Sequence, residues 1–212
     1  MPSFQQHRET LDRWRRFPAR ERIENGVALT FDDGPDPDAT PAVLEALRAV
    51  EARAAFFLVG EQVEAHPELA RQVADEGHVL ALHGFRHVEH DELGGEARAD
   101  LERGAAAVAA ATGVDPRLYR PPYGRFSEQS YAAAGELGLT PVYWSAWGSD
   151  WEPIPPERIA ETVIRDLEPG AIVLLHDSAR YATRPSAVPT AEALPAILAA
   201  MQERGLDPVT LA

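Results

Sequence analysis

The sequence predicts an α/β chain built on a parallel sheet, and three observations carry that prediction. Short runs rich in β-branched and aromatic residues recur seven times, at 27–31, 54–59, 78–82, 118–120, 140–144, 171–175 and 208–211. A stretch with helical apolar spacing separates each run from the next. The runs are near-continuously apolar, as strands covered on both faces are. The same alternation fits a closed barrel or an open doubly wound sheet, of which we favour the barrel.

The elements follow in order. Residues 7–17 put Leu11, Trp14 and Phe17 on one face of a short amphipathic helix, expected to lie across the bottom of the fold. Residues 1–25 are therefore read as an extension and 26–212 as one domain. The first strand, 27–31, stops at Asp32-Asp33-Gly34-Pro35, where Gly-Pro forces a turn. A helix follows to about residue 50, with Thr40 as its cap and Pro41 in its first turn. After the second strand, His66-Pro67 opens a helix to Glu76, with Gly77 just past its end. Residues 96–112 form a long Ala-rich helix ended by Gly113, and Ser127 caps a helix reaching Leu137. Ile159, Val163 and Leu167 mark one face of a helix over 156–167, and a last helix covers 189–203.

Composition removes several kinds of chemistry. The 212 residues carry a formal net charge of -14, which argues against a nucleic-acid partner. All 20 cations counted as Lys or Arg are Arg, so Schiff-base chemistry and Lys-dependent phosphate loops are excluded. No Cys is present, which excludes thiol nucleophiles, disulfides and thiolate metal sites. No run is long enough for a signal sequence or a membrane span, so a cytoplasmic location is expected for the chain as written, and a secreted one if it is cut from a longer protein.

Five clusters carry chemistry, each where a strand ends. Asp32 and Asp33 close the first strand at the edge where α/β folds collect ligands, although Asp-Gly-Pro alone is also an ordinary turn. His83 and His87, four residues apart after the third strand, open on the same edge; with one carboxylate they make a three-ligand site for a catalytic divalent metal. His78 and His90 rank below them, His78 because it starts a strand at the far edge and His90 because its surroundings are charged and exposed. In Arg120-Pro121-Pro122-Tyr123-Gly124 the prolines stiffen the turn, and the Tyr123 N–H remains as a donor. Trp144, Trp147 and Trp151 crowd a loop that also holds Asp150, and they are either sugar-stacking surfaces or core filling. Finally, strand 171–175 delivers His176.

These segments, in this order, resemble the polysaccharide deacetylases of carbohydrate esterase family 4, the NodB-homology proteins, over roughly residues 27–177. The resemblance implies a distorted, incomplete (β/α) barrel. It also implies a hydrolase removing N-acetyl groups from amino sugars, and so acting on carbon–nitrogen bonds other than peptide bonds. Asp32 would be the general base, with Asp33, His83 and His87 holding one divalent metal ion: zinc first, then cobalt, nickel or manganese. Arg120 would hold Asp32, the Tyr123 N–H would stabilise the oxyanion, and His176 would be the general acid with its charge tuned by Asp150. Leu174 and Trp151 would wall the acetyl pocket. Two departures stand out. Gly84 occupies a position where the family carries Ser or Thr, so a hydroxyl bracing the metal loop is missing. Trp147 replaces the first Asp of an Asp-x-x-Asp-Trp motif, which predicts an altered substrate groove.

The expected partner is an N-acetylated sugar. An amidase or O-acetyl esterase for a smaller substrate is the alternative among hydrolases, and a non-catalytic carbohydrate- or metal-binding module is the alternative of another class. An open trough lined by Trp147 and Trp151 would favour an oligosaccharide, whereas a pocket capped by residues 179–188 would favour a small substrate. The sequence says nothing about oligomeric state.

Overall fold

The computed structural model describes residues 15–211. Among them, seven strands form one parallel sheet: β1 (Ala28–Asp32), β2 (Ala55–Leu58), β3 (Val79–Leu82), β4 (Leu118–Tyr119), β5 (Thr140–Pro141), β6 (Ala146–Trp147) and β7 (Ile172–His176). Their spatial order is β5-β4-β3-β2-β1-β7-β6. The two edge strands, β5 and β6, are only four residues apart in the chain. The Val142 N–H donates to Tyr119 O on one side at 2.9 Å, and the Ser145 N–H to Ile172 O on the other at 2.9 Å. One segment thus serves both edges, and the sheet curls into an incomplete barrel.

Alternation along the strands decides which residues face inward. Leu29, Phe31, Val173 and Leu175 join an outer apolar layer with helix residues such as Val43, Leu44, Ile159, Val163 and Ile197. Ala28, Ile172 and Leu174 instead pack inside with Phe57, Tyr119, Tyr143 and Trp147. The same period puts Thr30 and Asp32 on the inner side of β1 and His176 on the inner side of β7, with Asp32 and His176 directly paired in register. Two charged or titratable side chains therefore arrive together at the C-terminal end of the two central strands.

Eight α-helices cover the outside among the described residues: α1 (Thr40–Arg48), α2 (Gly60–Ala65), α3 (Pro67–Asp75), α4 (His90–Leu93), α5 (Ala97–Thr112), α6 (Glu128–Glu136), α7 (Pro156–Asp166) and α8 (Val188–Glu203). Ser127 caps α6 reciprocally with Ser130, and Gly113 ends α5 with a φ of +76°. α2 and α4 escape a reading of periodicity because neither is long enough to show two turns of apolar spacing.

Four expectations need correction. The cap of α1 is Ala39, not Thr40: the Thr40 hydroxyl accepts from the Asp36 N–H at 2.8 Å and donates to Asp177 Oδ2 at 2.6 Å. The run 140–144 is not one strand, because the chain leaves β4 and crosses to β7 within it. Residues 208–211 form no strand; Pro208 makes a single bridge to Val27, and lacking an N–H it cannot extend the ladder. The helix expected over 7–17 lies mostly outside the described residues, and its last three, Arg15 to Phe17, are not helical. They belong to a largely extended arm, in which Arg20 bridges to Val142, Arg22 bridges to Ala171, and Phe17 stacks on Tyr131 at 4.7 Å.

Candidate active site

The inner face of β1 sets the first half of the site. Asp32 is buried, and its Oδ1 accepts from Arg120 at 2.6 Å. Arg120 follows β4, is fully buried, and also donates to Thr30 Oγ1 at 2.9 Å and to Tyr143 O at 3.0 Å. Its guanidinium lies 4.0 Å from the centre of the Phe57 ring. With donors committed on two sides and an aromatic face beneath, the guanidinium has one orientation, and it fixes the carboxylate of Asp32.

Asp33 comes next, at a φ of +82°. That left-handed backbone is unusual for a non-glycine residue and is over-determined by the neighbouring loop. The Gly34 N–H donates to Asp177 Oδ1 at 3.1 Å, and Val59 N–H to Gly34 O at 3.0 Å. Asp33 Oδ1 lies 3.1 Å from His87 Nε2 and 3.4 Å from His83 Nε2. Among the described residues, Asp33, His83 and His87 bring three ligand atoms within 4.8 Å of one another.

The orientation of this triad follows from its partners. His83 Nδ1 sits 2.8 Å from Arg120 O, and a carbonyl only accepts, so Nδ1 donates and Nε2 is the ring atom turned toward Asp33. Among the described residues, Asp33 Oδ1 is buried without a hydrogen-bond donor, and His87 Nδ1 is likewise without a partner. Buried acceptors that converge without a proton between them are costly unless a cation sits among them. The donor set of two imidazoles and one carboxylate therefore fits a divalent metal with open coordination positions.

The loop that carries both histidines is braced in an unexpected way. Gly84 has a φ of +85°, and a Cβ there would lie 3.2 Å from Arg86 O and 3.3 Å from Asp100 Oδ2. Asp100, buried on α5, accepts from the Phe85 N–H at 2.8 Å and from Arg86 Nε at 3.0 Å. A carboxylate from a packed helix thus holds the loop, and it does so in the space that a side chain at position 84 would need.

The second half of the site belongs to β7. His176 Nδ1 lies 2.9 Å from Asp150 Oδ1, and its backbone N–H donates to Asp150 Oδ2 at 2.8 Å. Burial disfavours charge on the imidazole, but the Asp150 carboxylate outweighs it, so His176 is pushed up to about 9. Asp150 is fully buried; that burial is overcome by His176, by Arg184 at 3.5 Å and by the Thr190 hydroxyl at 2.7 Å, which hold its carboxyl below the usual range.

Around these groups, Trp151 is half-buried and meets His176 edge-on at 5.8 Å, and Leu174 lies on the inner face of β7 beside Trp147. Trp147 is buried to 3% exposure inside the barrel, so it does not line an open trough. The Tyr123 ring is 47% exposed, packs edge-on against His87 at 4.7 Å, and its residue has a φ of +58°. The Gly124 and Arg125 N–H groups close that turn onto Pro121 O and Pro122 O, leaving the Tyr123 N–H outside the turn's own bonds.

His78 and His90 lie elsewhere. The Ala54 N–H donates to His78 Nδ1 at 3.2 Å, below β3 and away from the site. His90 is not exposed: it is fully buried, stacked on Tyr119 and hydrogen-bonded to its hydroxyl at 2.7 Å, because α4 folds back onto β4. Four contributors escape a sequence reading, namely Asp100, Asp177, Tyr181 and Arg184. Asp177 follows His176 directly, and that adjacency was a usable signal; the other three carry none at the level of motif or period.

Residues 19–142 match the polysaccharide deacetylase family. The chain is 34% identical over 190 residues to a chitooligosaccharide deacetylase of Azorhizobium caulinodans, covering 86% of this chain and 90% of that protein. Among solved structures, it resembles the Bc1960 peptidoglycan N-acetylglucosamine deacetylase with a TM-score of 0.84 and 31% identity, over 91% of this chain and 90% of the other. A family 4 carbohydrate esterase from Streptomyces lividans, solved with acetate, follows at a TM-score of 0.80 and 32% identity, over 89% and 93% of the two chains. With half-barrel, triad and paired carboxylates agreeing, the chain belongs to the polysaccharide deacetylases of carbohydrate esterase family 4.

Proposed function

We propose that this chain hydrolyses the N-acetyl group of an amino sugar in an oligo- or polysaccharide or glycoconjugate, releasing acetate and a free amine. One observation carries the reading: a carboxylate outside the ligand set, Asp32, and an imidazole charged through Asp150, His176, occupy paired positions on adjacent strands. A binding module requires neither. A divalent cation held by Asp33, His83 and His87, zinc before cobalt, nickel or manganese, supplies Lewis acidity toward the amide carbonyl.

The chain's own groups do the rest. Asp32, aimed by Arg120, takes a proton from the attacking water as its oxygen bonds to the carbonyl carbon. The Tyr123 N–H stabilises the negative charge growing on the carbonyl oxygen. His176 gives its proton to the amide nitrogen as the C–N bond breaks, and Asp150 steadies the imidazolium before that transfer. Trp151 and Leu174 wall the acetyl methyl, and Tyr123 offers its exposed ring to the sugar.

The test is Asp32→Asn on an N-acetylglucosamine oligomer. The variant should keep one metal ion per chain and lose about a hundredfold or more in turnover. Unchanged turnover would remove Asp32 from the mechanism. A second reading, a short substrate, is favoured by one feature: the loop after β7 reaches His87 through Tyr181 and Trp151 O through Thr183, so it runs along one flank of the site. Rates independent of oligomer length would support it.

A further inference from the structure

Metal-bound histidines ordinarily donate the second ring N–H to a carboxylate or carbonyl, which fixes the plane of the imidazole. His83 follows this rule through Arg120 O at 2.8 Å, and His87 does not: its Nδ1 is buried and has no partner among the described residues. Gly84 supplies no side chain that could provide one. Something else must hold the ring. Tyr181 lies face to face with it, with centroids 4.0 Å apart and planes within 7°. The Tyr181 hydroxyl is fixed in turn by Gln62 Nε2 at 2.9 Å.

Gln62 is buried on α2, and α2 also grips the ligand loop directly. The Gly60 N–H donates to Gly84 O at 2.9 Å and the Glu61 N–H to Phe85 O at 3.0 Å. One short helix therefore holds the backbone of the histidine loop and, through Tyr181, one face of His87. Tyr123 meets the same imidazole edge-on at 4.7 Å and 70°.

We propose that Tyr181 is a positioning residue for the metal ligand His87, holding the imidazole plane by stacking where the usual hydrogen bond to Nδ1 is missing. The inference rests on the Asp33–His83–His87 metal reading. Stacked rings restrict rotation about the Cβ–Cγ bond, so Nε2 stays directed at Asp33 before a metal arrives.

The experiment measures zinc affinity by chelator competition, and the absorption spectrum of the cobalt-loaded protein, for wild type, Tyr181→Leu, Tyr181→Phe, Gln62→Ala and His83→Ala. Tyr181→Leu should bind zinc about tenfold more weakly and shift the cobalt bands. Tyr181→Phe keeps the ring and should stay within about twofold of wild type, with an unaltered spectrum. Gln62→Ala removes the same hydroxyl tether and should likewise stay within about twofold. Wild-type affinity and spectrum in Tyr181→Leu would overturn the proposal, as would a loss in Tyr181→Phe equal to that in Tyr181→Leu. Failure of the metal reading is a separate result, in which wild type and His83→Ala bind zinc equally.

Discussion

Replacing Asp150 with Asn isolates the electrostatics of the proton donor. His176 stands at about 9 instead of 6.5. At about 1.4 kcal/mol per pH unit, that gap is about 3 kcal/mol in favour of the imidazolium. Burial acts the other way, and the leading support is the Asp150 carboxylate at 2.9 Å, with smaller help from Asp33 and Asp32. A cation at Asp33 offsets the smaller part in wild type and variant alike, so the comparison is made on metal-loaded protein. Asn keeps one acceptor for His176 Nδ1 and loses the charge and the second acceptor, leaving the burial penalty in place. The assay is the pH dependence of kcat for acetate release, whose alkaline limb reports the acid in the substrate complex. The limb should move toward acid by about two pH units, and kcat at pH 8 should fall by about tenfold. A uniform loss with an unmoved limb would refute the reasoning and reduce Asp150 to an aligning role.

Other predictions follow from the same contacts. Arg120→Met strands a buried carboxylate and two further acceptors, Thr30 Oγ1 and Tyr143 O, and should destabilise the fold by about 3–5 kcal/mol in urea unfolding. Gly84→Ser, although it restores the residue type usual in the family, should lower stability by about 1–2 kcal/mol, because position 84 needs a positive φ and its Cβ would press on Arg86 O and Asp100; thermal unfolding of the chelated protein checks this. The pH dependence of stability has a definite sign. His176 is raised in the folded state, so its contribution is whole below 6.5 and lost as pH rises through about 9. Asp150 is lowered, so its contribution is present above 3.8 and lost as pH falls below it. The Tm of metal-free protein should therefore drop between pH 6.5 and 9.5, and Asp150→Asn should flatten that drop.

Much of this arrangement was legible in the sequence, for physical reasons. Apolar runs ending in Asp32-Asp33, His83, Arg120 and His176 put chemistry at strand ends, and a parallel sheet gathers strand ends on one edge. What stayed hidden depends on contacts distant in the chain. Nothing local says that Asp100, on the face of an Ala-rich helix, brackets the loop at Phe85 and Arg86, so Gly84 read as a loss of support when its missing side chain makes room for that carboxylate. Trp147 read as either a sugar-stacking surface or core filling, because motif position carries no information on burial; it is core filling. His90 read as solvated because its neighbours in sequence are charged, whereas α4 turns it inward onto Tyr119. The link that residues 142–145 make between the two edges of the sheet was invisible for a related reason: one apolar run that serves two edges looks like one strand.

The central claim is that Asp33, His83 and His87 hold a metal on which deacetylation depends. Its most direct test is acetate release from N-acetylglucosamine oligomers by protein stripped with chelator and then resupplied with zinc, cobalt, nickel or manganese, one at a time. Stripped protein should release no acetate, at least one of these ions should restore release, and none should restore it in His83→Ala. Release that persists in the stripped protein, or that metal restores equally to His83→Ala, would contradict it.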